Sequence, residues 1–178
     1  MIKIIGTTVI TLSMLVLLTW QHFHGGVPSH HILQQKDLPE ISNWWGAIFL
    51  PNISWLLISR IESRKNGREL LSQKNTFRIL VLFVFGFILG ITIAFSFVNN
   101  YKLFLDNVPY TLLLLSMFIP IFYSEFILGF IFGMVYHFGT ILPSIFILIF
   151  ALSGFLIYRY IRPFIFRVLN TQSFKNTK

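Results

Sequence analysis

The sequence predicts an all-α fold, namely a polytopic integral membrane protein built as a bundle of six transmembrane helices. Of its 178 residues, 55% are hydrophobic, 21 are Phe and only 11% are charged. Soluble domains carry about a quarter charged residues, and a soluble chain of this size has too little interior to bury so much apolar surface. A lipid bilayer accepts such a surface, so the composition predicts a membrane protein.

Successive apolar segments define the six spans within one transmembrane domain, residues 1–178. A spanning helix needs roughly 20 mainly apolar residues, with about 17 as the lower limit. This criterion gives spans at residues 4–20, 44–59, 77–98, 108–123, 125–138 and 141–160. The first span follows Lys3 and resembles a signal peptide, but no A-x-A-like site follows it, so we expect it to stay uncleaved. The second is short and interrupted by Pro51, the third is the clearest, and only "YSE" divides the fourth from the fifth.

The basic residues orient the bundle. With six spans, twelve of the 14 Lys and Arg residues fall on one side of the membrane. They are Lys3, Arg60, Arg64, Lys65, Arg68, Lys74, Arg78, Arg159, Arg162, Arg167, Lys175 and Lys178. Only Lys36 and Lys102 fall on the other side, so the positive-inside rule predicts that the N and C termini are both cytoplasmic. The net charge of +8 is then a topology signal in a plasma or bacterial inner membrane, and we expect no nucleic-acid partner.

Histidines are concentrated in one stretch, "WQHFHGGVPSHHILQQ" from Trp20 to Gln35. The topology puts this stretch in a non-cytoplasmic loop, residues 21–43. The fifth span ends on the same side. All five imidazoles are therefore expected at one face of the membrane, where the loop would cover a pocket; they belong to His22, His24, His30, His31 and His137.

The first function that this group of histidines predicts is metal binding, with zinc as the expected ion. Imidazole is a common ligand for divalent metals, and a carboxylate can complete the shell. In an extended segment, His22 and His24 would place their rings on one side. A bend at Gly25 and Gly26 would bring the later histidines back, and His137 would come from another helix. There is no cysteine, which excludes thiolate ligands and disulfides.

Acid–base chemistry is the second use. Asp37 and Glu40 lie in the same loop as the histidines, and Asp106 is expected in the outer loop before the fourth span. Each could pair with a histidine as a general base. Proton-coupled or pH-sensing behaviour is the third use, since imidazole titrates near neutral pH. The simplest alternative is that the histidines are polar loop residues at a wet interface.

Substrate contacts are expected beside the histidines. The candidates are Trp44 and Trp45 at the start of the second span, Asn52 after the break at Pro51, and Tyr136 next to His137. The alternative for the tryptophans is an interfacial belt with Trp20. A break at Pro51 can line a cavity or be closed by hydrogen bonds to a neighbouring helix.

A stripe with a spacing of four residues runs along the fifth span, from Glu125 through Gly129 and Gly133 to the last histidine. Glycines at this spacing let a second helix approach closely. Gly86 and Gly90 in the third span match them, so these two spans are expected to pack together, or to offer faces to a protein partner or a second copy. Glu125 is an intramembrane ionisable group and therefore a functional candidate.

Three hypotheses for function follow. The first is a membrane protein with a histidine-rich metal-binding or catalytic pocket, in its enzymatic form a metal-dependent hydrolase of a lipid-like substrate. The second is a small-solute transporter or the membrane subunit of one. The third is a non-catalytic assembly or accessory protein.

Overall fold

The all-α architecture is confirmed by the computed structural model, which describes residues 2–31, 40–64 and 73–164. The helices in these ranges are α1 (Ile2–Phe23), α2 (Gly46–Arg64), α3 (Gln73–Val98), α4 (Lys102–Phe118), α5 (Ser124–Phe138) and α6 (Ile141–Leu156). One π-helical turn, Ile157–Ile161, continues α6. Two short strands, β1 (Ser29–His31) and β2 (Glu40–Ser42), pair antiparallel, and a 3-10 turn over Asn43–Trp45 leads into α2.

Within the described ranges, three helical segments are long and apolar enough to cross a membrane, judged by length and composition: Lys3–Phe23, Asn75–Val98 and Ile141–Phe164. Many of their large apolar side chains face outward, among them Val16, Phe77 and Leu152. A surface of this kind suits contact with lipid and not with water. α5 is also apolar but has only 15 residues.

α5 is the central helix of the bundle, because eleven of its 15 residues are buried. Its glycines contact α3 backbone to backbone. A Cβ at Gly129 would collide with the carbonyl oxygen of Phe83, and one at Gly90 would lie 2.5 Å from that of Phe130. The close packing expected between the third and fifth spans is thus confirmed, with both helices running in the same direction.

Because Gly86 and Gly90 contact the α5 face that carries Gly129 and Gly133, both small-residue faces are used inside one chain. Association with a partner or a second copy through either face stays a prediction. Such a contact would have to replace the α3–α5 pairing.

The fourth helix differs from its expected span, since α4 begins at Lys102 and ends at Phe118. Its end is set by Pro120, because a residue before proline is disfavoured in the helical region, and Ile119 is indeed extended (φ −115°, ψ 133°). Its start lies before the apolar run because hydropathy marks the membrane-compatible part of a helix and not its first turns. Asp106, expected in an outer loop, therefore lies within α4.

Contacts between helix termini define two ends of the bundle. At the basic end, the N–H of Lys3 donates to Glu62 (2.9 Å), and Arg64 forms an ion pair with Glu125. At the histidine end, Gln21 Nε2 donates to the carbonyl oxygen of Tyr136 (3.3 Å). The start of α1 thus lies near the end of α2, and the ends of α1 and α5 meet at the opposite side.

Candidate functional site

A polar cavity of about 320 Å³ lies at the histidine end. Its walls come from the C-terminal ends of α1 and α5 and from the turn that follows α1. The lining residues are Trp20, Gln21, His24, Gly25, Gly26, Pro28, Tyr136 and His137. Two imidazoles therefore line one cavity, one from the turn after α1 and one from α5.

The turn after α1 positions His24. Gly25 and Gly26 have φ values of +109° and +95°, a region that glycine adopts without steric penalty. The N–H groups of His24 and Gly26 both donate to the carbonyl oxygen of Gln21, at 3.2 and 3.0 Å. These bonds close the helix end in the manner of a glycine C-cap, so the chain reverses immediately after the histidine.

The ring of His24 is held on two sides. It stacks on Trp20 with ring centroids 4.6 Å apart, and its Nδ1 lies 2.9 Å from the Trp20 carbonyl oxygen. A carbonyl oxygen can only accept, so Nδ1 carries the hydrogen. In the neutral ring, Nε2 is then the nitrogen left for a ligand.

His137 is placed by an aromatic group that joins α5 to α1. Its ring meets the edge of Tyr136 at 4.9 Å between centroids, and Tyr136 lies 6.1 Å from Trp20. Gln21 is buried beside them, and its Oε1 has no hydrogen-bond partner within the described residues. An unsatisfied buried acceptor costs about 1–3 kcal/mol, so this amide has spare capacity for a ligand or a water molecule.

Three further residues close to these helix ends were not singled out from the sequence as site candidates: Asn43, Gly139 and Thr140. Asn43 is buried, and its backbone N–H donates to the carbonyl oxygen of Pro28 (3.1 Å). Gly139 has φ +67°, and a Cβ there would collide with Asn43 Oδ1. In the described part of the chain, Asn43 Nδ2 and Thr140 Oγ1 are buried without a partner. The sequence signal for the last two was the dipeptide "GT" directly after an apolar helix.

His22 and His24 do not share a side, which corrects the expectation for this pair. α1 continues through Phe23, so residues two apart point to nearly opposite faces instead of the same one. His22 contacts the ring edges of Phe23 and Trp44, at 5.4 and 6.2 Å between centroids. It is absent from the lining of the cavity.

The remaining metal and acid candidates are spread out. Glu40 is exposed on β2 and accepts a hydrogen bond from the Ser29 hydroxyl. Asp106 is exposed on α4 and has no ion pair or hydrogen bond to the described residues. Asp37 lies outside the described residues, as do the side chains of His30 and His31 in β1. Among the residues that are described, no group of three or more His, Asp or Glu side chains could hold a metal ion.

Of the substrate-binding candidates, one lines the cavity and three lie elsewhere. Tyr136 lines the cavity, whereas Trp44 and Trp45 are more than half exposed at the start of α2. Asn52 is also exposed, and its Nδ2 donates to the Ile48 carbonyl oxygen (2.7 Å) of its own helix. This bond satisfies Nδ2 within α2, next to the Ala47 carbonyl group that receives no N–H from Pro51. The interruption expected at Pro51 is corrected, since α2 continues through it as one helix.

Glu125 is buried at the opposite end of the bundle, where Arg64 Nη2 contacts both of its carboxylate oxygens at 2.6 Å. The sequence singled out the carboxylate, but it gave no signal for its partner, which is 61 residues away. Comparison with known proteins adds no further assignment: no family model, curated protein or solved structure matches this chain.

Proposed function

We propose that this chain is a six-span membrane protein with cytoplasmic termini that binds a divalent metal ion, zinc foremost, in the cavity at its non-cytoplasmic end. The observation that carries the metal proposal is the pair His24 and His137, which the turn after α1 and the end of α5 bring to one cavity. Metal sites in helical bundles are similarly assembled from side chains on separate helices.

The environment of His24 supports a role as a metal ligand. A metal-binding histidine usually donates its second ring N–H to a carboxylate or a backbone carbonyl group, which fixes the tautomer and the ring orientation. The contact between Nδ1 and the Trp20 carbonyl oxygen is of this kind. His22 makes no such contact with the described residues and is left out of the proposed ligand set.

A structural or catalytic zinc ion needs at least three protein ligands. His24 and His137 supply two. The sequence offers His30, His31 and Asp37 for the third. When bound with an open coordination position, zinc would activate a water molecule for hydrolysis.

A lipid-like substrate is favoured by a second cavity, of about 370 Å³, with an apolar lining. Side chains of α3, α5 and α6 form it together with Ile41 of β2, and Phe138 lines it directly after His137 in the chain. Ligand pockets are mostly apolar with a few polar groups that fix orientation. An apolar cavity and an imidazole-lined cavity at neighbouring α5 residues would suit an amphipathic molecule.

The six-span arrangement is supported by the sorting of charge between the two ends. Lys3 and Arg64 belong to one end and the two cavity histidines to the other. Under the positive-inside rule, the basic end is cytoplasmic. Reporter fusions at Lys36 and Gly67 test this: the first should report the non-cytoplasmic side and the second the cytoplasm. Reporters on the same side would contradict the topology.

Elemental analysis of the purified full-length protein tests the metal site. We expect about one divalent ion per chain, lost in the His24→Ala/His137→Ala double variant because two ligands disappear. His22→Ala is the matched control, since this histidine lies on the same turn of α1 outside the cavity, and it should keep the metal. Metal-free wild-type protein after zinc loading, or unchanged content in the double variant, would refute the proposal.

A further inference from the structure

A second polar cavity, of about 220 Å³, lies at the basic end, where α2 ends and α3 and α5 begin. Its lining combines two arginines, one buried carboxylate and one aromatic ring. The residues are Arg64, Asn75, Arg78, Ile79, Tyr123 and Glu125. The volume exceeds that of several water molecules, which occupy about 30 Å³ each in the liquid.

We propose that this cavity binds a phosphate group through Arg78 and Arg64. Among the described residues that line it, the charges do not balance, because two guanidinium groups face a single carboxylate. Glu125 is already engaged: both of its oxygens contact Arg64 Nη2 at 2.6 Å, and its side chain is only 3% exposed. One positive charge is left over.

That excess charge is Arg78. Its guanidinium carbon lies 5.1 Å from the centroid of the Tyr123 ring, and that of Arg64 lies 4.2 Å from the same centroid. Within the described residues, Arg78 has no ion pair with a carboxylate. Two like charges held at one ring repel each other, and an anion bound between them would offset this repulsion.

The chemistry of the lining favours phosphate over other anions. A guanidinium group presents a planar fork of N–H donors that matches phosphate oxygens. The contacts with the Tyr123 ring hold both guanidinium groups without using their N–H groups, and Glu125 engages only Nη2 of Arg64. The cavity also adjoins the start of α5, where the positive end of the helix dipole adds to the potential. No side chain caps this helix start.

The phosphate could belong to an anionic phospholipid or to a soluble ion. A titration of the purified full-length protein in a neutral detergent distinguishes the two sources. The protein's melting temperature is followed during titration with phosphatidylglycerol, with phosphate-free diacylglycerol and with inorganic phosphate, because a ligand that binds the folded state raises Tm. We expect a saturable rise with phosphatidylglycerol or inorganic phosphate and none with diacylglycerol.

Variants connect the response to this cavity. Arg78→Gln should weaken the apparent affinity about tenfold or more, as expected for loss of a charge-assisted pair of hydrogen bonds. Arg60→Gln makes the same charge change at an exposed arginine one turn earlier on α2 than Arg64 and should leave the affinity unchanged. Glu125→Gln should tighten binding, because Arg64 is released from its carboxylate.

Each outcome decides the proposal. A response to phosphatidylglycerol alone assigns the cavity to a lipid headgroup, a response to inorganic phosphate alone assigns it to a soluble ligand, and responses to both identify the phosphate group itself. The proposal is overturned if neither ligand shifts Tm, or if Arg78→Gln and Arg60→Gln behave alike. Because metal binding is measured at the other end, failure here leaves the zinc proposal untouched.

Discussion

The two ends of this bundle solve the problem of polar groups in an apolar protein in opposite ways. At the basic end, a carboxylate that is almost fully buried has its charge compensated by Arg64. At the histidine end, His24 and His137 are exposed, while the neutral amides of Gln21 and Asn43 are buried with unsatisfied atoms. A buried charge must be paired, whereas a neutral polar group can be left partly unsatisfied at a cost of about 1–3 kcal/mol. The difference is one of charge: the basic end compensates a buried charge, whereas the groups buried beside the two histidines are neutral and, among the described residues, keep unused hydrogen-bonding capacity.

The largest loss of stability is expected from a substitution in the α3–α5 contact, which joins the two ends. Gly129→Ala places a Cβ against the Phe83 carbonyl oxygen, which belongs to a rigid backbone. Overpacking typically costs about 1–3 kcal/mol. Because the colliding partner here is backbone, we expect a cost above this range, a strong drop in Tm and loss of both the metal and the phosphate responses. The control is Gly6→Ala, whose Cβ would meet only the flexible tip of Ile58, at 3.0 Å. Equal stability of the two variants would contradict the role given to this contact.

The second largest loss of stability is expected from breaking the ion pair at the basic end, and it should leave the histidine end intact. Arg64→Leu leaves Glu125 buried without its partner, and breaking a buried ion pair costs about 3 kcal/mol. We therefore expect a large drop in Tm, with zinc content retained in the surviving folded fraction. Replacing both residues with leucine should recover most of the loss, because the uncompensated charge is gone. If Arg64→Leu is no worse than Arg60→Gln, the pair contributes little.

The third loss of stability is expected from a substitution at Gly139, and it should be confined to the histidine end. Gly139 has φ +67° and ψ −163°, a conformation that is essentially restricted to glycine. Gly139→Ala adds this strain to a collision with Asn43 and should cost about 2 kcal/mol. Gly25→Ala is the control, since its φ is also positive but no atom lies within 4 Å of the added Cβ. A Tm difference between the two variants measures the contact with Asn43, and identical values would rule that contact out.

The sequence was sufficient for features that follow from local pattern. Apolar runs predicted the helices, and the matched spacing of Gly86–Gly90 and Gly129–Gly133 predicted the α3–α5 contact. It was insufficient where a feature depends on tertiary position. Nothing in the chain links Arg64 to Glu125. Hydropathy also could not show that α1 continues three residues beyond Trp20. The prediction that the rings of His22 and His24 lie on one side was therefore wrong.

The smallest effect is expected at Asn52, which belongs to neither end. Its amide is exposed and bonded to the Ile48 carbonyl oxygen of the same helix, and exposed substitutions usually change stability by less than about 0.5 kcal/mol. Asn52→Ala should therefore leave Tm, metal content and the phosphate response at wild-type values. A transporter with a solute path along α2 at Pro51 predicts the contrary, because solute uptake would depend on this amide and not on the outer histidines. Uptake into proteoliposomes that falls in Asn52→Ala but persists in His24→Ala/His137→Ala would therefore favour transport over the metal-binding function.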